Sequence, residues 1–421
     1  MDTDKLTTAS GERVQVIYPG RENRDSGPDF LGATIVGADG KLLNGDVELH
    51  LKSSDWRSHG HHRDPRYNGV ILQVVWDGEK AAVLQNGKIA PTLSLCRYLK
   101  GSLDEVREWA CLSILPDEPC HNAGQRLGAG EIGRLLDKAG EERFRLKTGC
   151  FATRLGNEPP AQVLYQGIMG ALGYTKNKEQ FEELSCRLPL AVLESFCSGK
   201  HPQEQVLVLK ALLLGEAGLL PKCGDNELEQ LWRCLGKEET MSPTYWHLFR
   251  VRPENQPARR LIGAAHLLAR FIKGGLLQGV LRLVNDYSTD VEQLESSFMV
   301  GAPDSCYDSE RALIGCGRAR EIVVNIVLPF TFAWAEANSR AELAERALSL
   351  YRIYPGAGEN EITRRLTKLL GIGVSVLVNS ARRQQGLIHL DKTFCCYRRC
   401  DDCPLARKLA LVSVQPSAIS V

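Results

Sequence analysis

Apolar and polar positions follow two different rhythms along this chain. Before residue 100 they alternate, or gather in short apolar blocks bounded by Gly, Asn and Asp. This predicts strands at Arg13–Tyr18, Phe30–Val36, Gly45–Lys52, Val70–Trp76 and Ala81–Gln85. Gly37-Ala38-Asp39-Gly40 supplies a turn that makes the second and third strands a hairpin, and Asn86-Gly87 supplies a turn after the fifth. Val70–Trp76 is apolar except for Gln73, as expected of a central strand covered on both faces.

From about Leu103 apolar residues recur every three or four positions. Helices are predicted over Gly130–Lys138, Ala161–Leu172, Lys178–Ser185, Gln203–Gly215, Asn226–Leu235, Ala258–Phe271, Ala341–Tyr351, Asn360–Leu370 and Ala381–His389. The stretch LPDEPCH breaks the pattern between the two regimes. The expected fold is therefore α+β, in three parts. A mixed-sheet module spans 1–115, a helical domain spans 116–380, and a helix followed by a cysteine-rich tail spans 381–421. No internal repeat or low-complexity linker interrupts them.

Composition narrows the class. The 421 residues suffice for two or three domains. A net charge of +1 leaves no overall electrostatic footprint for nucleic acid, so any polyanion site would be local. The apolar run Ile322–Ala335 is broken by Asn325 and Pro329 and is too short to span a bilayer, so no membrane partner is expected. It reads as a buried helix or helix-turn segment. The first residues carry no apolar leader, and fourteen cysteines without one suggest a reducing compartment, the cytoplasm.

Candidate chemistry gathers in residues 27–62. Asp46, Glu48, His50 and Lys52 alternate with Val47, Leu49 and Leu51, which sends the polar four to one face of a strand and the apolar three to the core. Pro28-Asp29 stands on the preceding strand. Hydrolysis of a phosphodiester on a divalent ion needs two carboxylates to share the ion and a group to orient or deprotonate the attacking water. Asp29 and Glu48 would hold Mg²⁺ or Mn²⁺, and His50 or Lys52 would serve the water or the developing charge. The arrangement resembles the PD-(D/E)xK nuclease pattern, with an eighteen-residue gap between Asp29 and Glu48 and with His50 where that family carries lysine. The resemblance implies a restriction-endonuclease-like sheet acting on DNA or RNA. The plain alternative is the solvated face of an antiparallel strand.

Four of the nine histidines fall between positions 50 and 62. Asp55, His59, His61, His62 and Asp64 offer imidazole and carboxylate ligands for zinc or iron, or form a loop closing over the acidic strand.

The segments GPDF, GDVELHLKSSDW and HGHHRDPRYNGVILQVV, with RPENQPARRLIGAAHLL, VVNIVLPF and RRQQGLIHLDKTFCCYRRCDDCPL further on, resemble an uncharacterised bacterial family, DUF2851. No activity follows from that resemblance.

Near the end, Cys395, Cys396, Cys400 and Cys403 give C-C-x3-C-x2-C before Pro404-Leu405. With His389 they suggest a structural Cys3His zinc site. The CxxCPL end also resembles, distantly, the iron–sulfur loop of helix-hairpin-helix DNA glycosylases, where Cys396, Cys306 or Cys316 would complete a cluster. Buried reduced thiols are the bland reading. Arg250, Arg252, Arg259 and Arg260 form either a phosphate-contacting patch or, more simply, a solvated helix entry. No phosphate loop, dinucleotide fingerprint or nucleophile elbow is present. Two functions remain: a metal-dependent nuclease using Asp29, Glu48 and His50, or a catalytically silent module that binds nucleic acid or protein.

Overall fold

The computed structural model describes residues 6–23, 26–37, 39–98, 119–174, 176–220, 226–234, 240–248, 251–287, 290–301, 312–397 and 399–413. Arg250 and Cys306 lie outside them. The chain divides into two compact units, Met1–Pro116 and Asp117–Val421.

The first unit is built on a mixed sheet. Its strands are β1 Leu6–Thr7, β2 Arg13–Tyr18, β3 Arg21–Glu22, β4 Phe30–Val36, β5 Leu42–Lys52, β6 Val70–Asp77 and β9 Thr92–Ser94; β7 Ala82–Val83 and β8 Ile89–Ala90 form a separate ribbon. The order is β1-β2-β4-β5-β6-β9, with β3 also on β4. The strands β1, β2, β4 and β5 pair antiparallel, and β4 joins β5 through the Gly37–Gly40 turn, closed by Gly40 N–H donating to Gly37 O at 3.0 Å. From β5 onward pairing turns parallel, β5 with β6 and β6 with β9. A parallel pair cannot be closed by a tight turn, so residues 53–69 must cross over one face of the sheet. That crossover carries the histidine-rich loop.

Registers align four strands. Glu48 pairs with Gln73, Gln73 pairs with Thr92, and Asp29 stands one step beyond the Phe30–Val47 pair of β4 and β5. Asp29, Glu48, Gln73 and Thr92 thus form one row across the sheet. The core on the sheet is Leu6, Val14, Ala33, Ile35, Val47, Leu72 and Leu93. A satellite cluster of Trp56, Tyr67, Val70, Ala82, Leu84 and Ala90 lies under the crossover.

The alternation on β5 is inverted relative to expectation beyond Val47. Glu48 is 5% exposed, whereas Leu49 and Leu51 are 43% and 60% exposed. The reason is the crossover, which covers the polar face and leaves the apolar one open.

The second unit is mainly helical. The long helix Ala123–Leu155 packs along Ala381–Thr393, and the two backbones approach closely. A Cβ on Gly140 would sit 2.1 Å from Arg382 O, and one on Gly386 would sit 2.2 Å from Leu136 O. The Ile322–Ala335 run is buried as predicted, but it contains a π turn at Val323–Val327 that presents Asn325 to Lys147 and leads into the helix Leu328–Ala337. No described helix is long and apolar enough to cross a membrane.

Candidate metal centre

The centre begins with β5. Glu48 and His50 point to the covered face, and the crossover returns two further imidazoles to them. The helical turn Asp55–Ser58 is anchored by Trp56, which is buried and donates its indole N–H to Val83 O at 2.9 Å. Gly60 then takes φ 79°, a left-handed conformation that costs a Cβ-bearing residue about 1–2 kcal/mol. This reversal places His59 and His61 on either side of it facing β5. The 3-10 turns His61–Arg63 and Pro65–Tyr67 follow, and Tyr67 stacks on His61 with ring centres 3.9 Å apart.

The ligand nitrogens of His50, His59 and His61 all lie within 4.8 Å of one another, the one such trio of His, Cys, Asp or Glu among the described residues. Glu48 joins them: Oε1 is 3.3 Å from His61 Nε2 and 3.7 Å from His50 Nε2. Neither nitrogen makes a hydrogen bond, although both are buried, because even the 3.3 Å contact is misaligned for one. A tetrahedral ion with metal–nitrogen bonds near 2.05 Å separates its ligands by about 3.3 Å, which is the Glu48–His61 gap, and the three imidazoles would close up from within 4.8 Å to share one. Buried nitrogens that make no hydrogen bond and converge on a carboxylate fit the donor set of a metal ion.

The tautomer of His50 follows from its neighbours. Thr92 Oγ lies 2.8 Å from Lys80 O and 3.1 Å from one end of the Gln73 amide, whose other end lies 3.2 Å from His50 Nδ1. Thr92 has one proton, and Lys80 O, which can only accept, takes it. The end of the Gln73 amide that faces Thr92 is then its NH2 donor. Its oxygen faces His50, whose Nδ1 carries the proton and whose Nε2 lone pair faces Glu48. Gln73 is 0% exposed, so no water relieves this constraint. Burial, reinforced by His61 and His59, pushes the His50 pKa down to about 4, against the opposing pull of Asp55 and Asp29. His50 is therefore a neutral ligand at pH 7. Burial, with Glu48 next in weight, raises Tyr67 to about 12 and keeps its phenol protonated; the hydroxyl donates to Gly27 O at 3.2 Å.

Asp29 and Glu48 are brought together. The Asp29 N–H donates to Glu48 Oε2 at 2.9 Å, and Asp29 Oδ2 accepts from the Leu49 N–H at 3.0 Å. The remaining candidates do other work. Lys52 is exposed, and its N–H donates to Asp55 Oδ2 at 2.9 Å. Asp64 caps the Pro65–Tyr67 turn and pairs with Arg66 at 2.6 Å. His62 leaves Nδ1 buried without a hydrogen bond. Tyr67 and Thr92 were not legible as site residues; Thr92 has no local signal, and only strand register brings it to Gln73. Three imidazoles and one carboxylate suit Zn²⁺, Fe²⁺ or Mn²⁺ better than Mg²⁺, which prefers oxygen.

The other candidates lie in the second unit. His389 Nε2 is 3.4 Å from Glu142 Oε2, and its Nδ1 is 3.4 Å from Thr393 Oγ. Cys396 is exposed, with its thiol 3.7 Å from Asp391 Oδ2. Cys316 is exposed at the start of Cys316–Ile322. Burial raises the Cys395 thiol to about 12, and the charges of Cys120, Cys403 and Asp391 act in the same direction. The solvated helix entry expected at Arg259 and Arg260 is corrected: both are buried, and Arg260 bonds to Leu313 O at 3.0 Å and Asn255 Oδ1 at 2.5 Å. Only Arg252 of that group is exposed among the described residues.

No curated protein and no solved structure matches the chain. A family model does, over residues 1–360, a span that takes in the whole histidine centre and most of the helical unit: the chain belongs to the family described as a protein of unknown function, DUF2851.

Proposed function

We propose that the first unit is a metal-dependent phosphodiesterase of the PD-(D/E)xK type, a nuclease acting on DNA or RNA. The observation that carries this reading is the convergence of two buried, unbonded imidazole nitrogens on Glu48, with Asp29 locked beside it. Asp29, just before β4, and Glu48 within β5 supply the adjoining carboxylate pair that such chemistry needs, beside a parallel strand bearing Gln73. Glu48, His50, His59 and His61 would hold Zn²⁺ or Mn²⁺. A bound ion supplies Lewis acidity toward the phosphoryl oxygen and lowers the pKa of its water to about 7.

The residues then divide the remaining work. Gln73 orients His50, and Trp56 and Tyr67 fix the crossover that carries His59 and His61. Asp29, partly exposed, offers negative charge beside Glu48 to orient a water. His50 stands in the position of the pattern's lysine and acts as a ligand instead of an ammonium group.

The test is cleavage by the full chain of single-stranded DNA, double-stranded DNA and RNA, with Mn²⁺ or Zn²⁺, comparing wild type with Glu48→Gln. The expected result is metal-dependent cleavage reduced at least about 10²-fold by Glu48→Gln, the scale of removing one preorganised electrostatic group. Equal activity in both proteins removes the proposed site. Metal binding with no cleavage of any substrate favours a silent binding module.

A further inference from the structure

The second unit brings a cysteine from far up the chain to the C-terminal cysteines. Cys120 stands just before the helix Ala123–Leu155, and the Ala123 N–H donates to Cys120 O at 3.1 Å. Two bonds fix this corner: Asn122 N–H to Leu369 O at 2.9 Å, and Arg126 Nη2 to Leu409 O at 3.2 Å. Leu409 belongs to Pro404–Ser413, the helix that begins directly after Cys403. On the other side, the chain from Phe394 folds through two 3-10 turns, Cys395–Tyr397 and Cys400–Asp402. The Arg399 N–H bonds to Phe394 O at 2.9 Å and the Cys403 N–H to Cys400 O at 3.0 Å, so the segment doubles back on itself. After burial, the charges of Cys120 and then Cys403 are the largest influences raising the Cys395 thiol, so both stand within electrostatic reach of it. Cys403 is buried, and Cys120, Cys395 and Cys400 are half-buried.

We infer that Cys120, Cys395, Cys400 and Cys403 form a four-thiolate site for an iron–sulfur cluster that ties the start of the long helix to the C-terminal turn. Cys396, adjacent to Cys395, holds its thiol 3.7 Å from Asp391 Oδ2, and Asp391 itself pairs with Arg365. His389 is engaged by Glu142 and Thr393. The fourth ligand is thus neither of these two residues but the remote Cys120. The spacing selects the metal. A single zinc with sulfur bonds near 2.3 Å would hold its thiolates about 3.8 Å apart. Among the described residues no three cysteines lie mutually within 4.8 Å. A cluster, whose ligands sit on different iron atoms, takes sulfurs set farther apart. On binding, each thiol gives up its proton and the cluster irons take the thiolates.

The experiment uses the full chain, purified without oxygen and reconstituted with ferric iron, a thiol reductant and sulfide, with iron, acid-labile sulfide, zinc and visible absorption measured. Wild type is expected to hold iron and sulfide in comparable amounts. Cys120→Ser and Cys403→Ser lose at least tenfold, while Cys396→Ser and His50→Ala keep the full load. A zinc-loaded, iron-free protein overturns the inference, as does a Cys120→Ser chain with undiminished iron. Thiol alkylation of loaded wild type, read residue by residue, covers variants that fail to fold. Cys150 and Cys396 should label and Cys120 should stay protected; label on Cys120 in the loaded protein overturns the assignment.

Discussion

Replacing Gln73 tests how the metal centre is held. Gln73→Leu keeps the side-chain volume at a position with no solvent exposure, so little repacking is required. It removes the acceptor for the His50 Nδ1 proton and leaves that donor buried and unpaired, at a cost of roughly 1–3 kcal/mol of unit stability. The ring loses the contact that fixes its tautomer and aim, which lowers metal affinity about 10–100-fold, or roughly 1.4–2.7 kcal/mol. Gln73→Glu behaves differently. A carboxylate accepts the Nδ1 proton as the amide oxygen does and gives up only the donor to Thr92, so the tautomer survives and affinity stays within a few-fold of wild type. Binding of Zn²⁺ against a competing chelator, with urea melts of the metal-free proteins, measures both quantities. If Gln73→Glu weakens binding as much as Gln73→Leu, the amide donates to His50 and the Nε2 lone pair does not face Glu48. If Gln73→Leu binds within twofold of wild type, the row of Glu48, Gln73 and Thr92 has no part in the centre.

Three further perturbations follow from the same geometry. His50 has a folded pKa of about 4 against an ordinary 6.5, so between those values the unfolded chain binds the extra proton. Its contribution to stability is complete above pH 6.5 and is lost as pH falls toward 4. His266, pushed to about 4 by burial, acts in the same direction, so His50→Gln should flatten only part of the slope of urea stability against pH. Trp56→Ala opens a cavity under the crossover and should cost about 3–5 kcal/mol in urea melts while weakening metal binding; unchanged binding would mean that the crossover is held by something else. Gly386→Ala places a methyl 2.2 Å from Leu136 O, and overpacking of this kind costs about 1–3 kcal/mol or more. A urea midpoint equal to wild type would contradict the close helix approach.

Much of the architecture is legible in the sequence because periodicity reports local burial. The strand Phe30–Val36 and the helices Lys178–Arg187 and Ala341–Ile353 occupy the places their patterns mark. What periodicity cannot report is which face of a strand becomes the inside. On β5 the crossover decides that, and it buries Glu48 and covers the His50 side chain while Leu49 and Leu51 stay exposed. The histidine loop was visible as composition, but its partner choice was not: Asp55 and Asp64 are the nearest carboxylates in sequence, yet each is taken by a local bond, to the Lys52 N–H and to Arg66. Glu48 is reached instead because Gly60 turns the chain back. Thr92 and Cys120 carry no local mark, since strand pairing and helix packing, not spacing, give them their neighbours.

Binding of Mn²⁺ to the full chain, followed by the loss of the free-ion electron paramagnetic resonance signal, tests the central claim most directly. Thiolates hold Mn²⁺ poorly, so the cysteine corner does not interfere. The account predicts one Mn²⁺ per chain, with affinity lowered at least about 10²-fold in His61→Ala and in Glu48→Gln, each of which removes a ligand. A wild-type chain that leaves the free signal unchanged, or variants that bind as tightly as wild type, would contradict it.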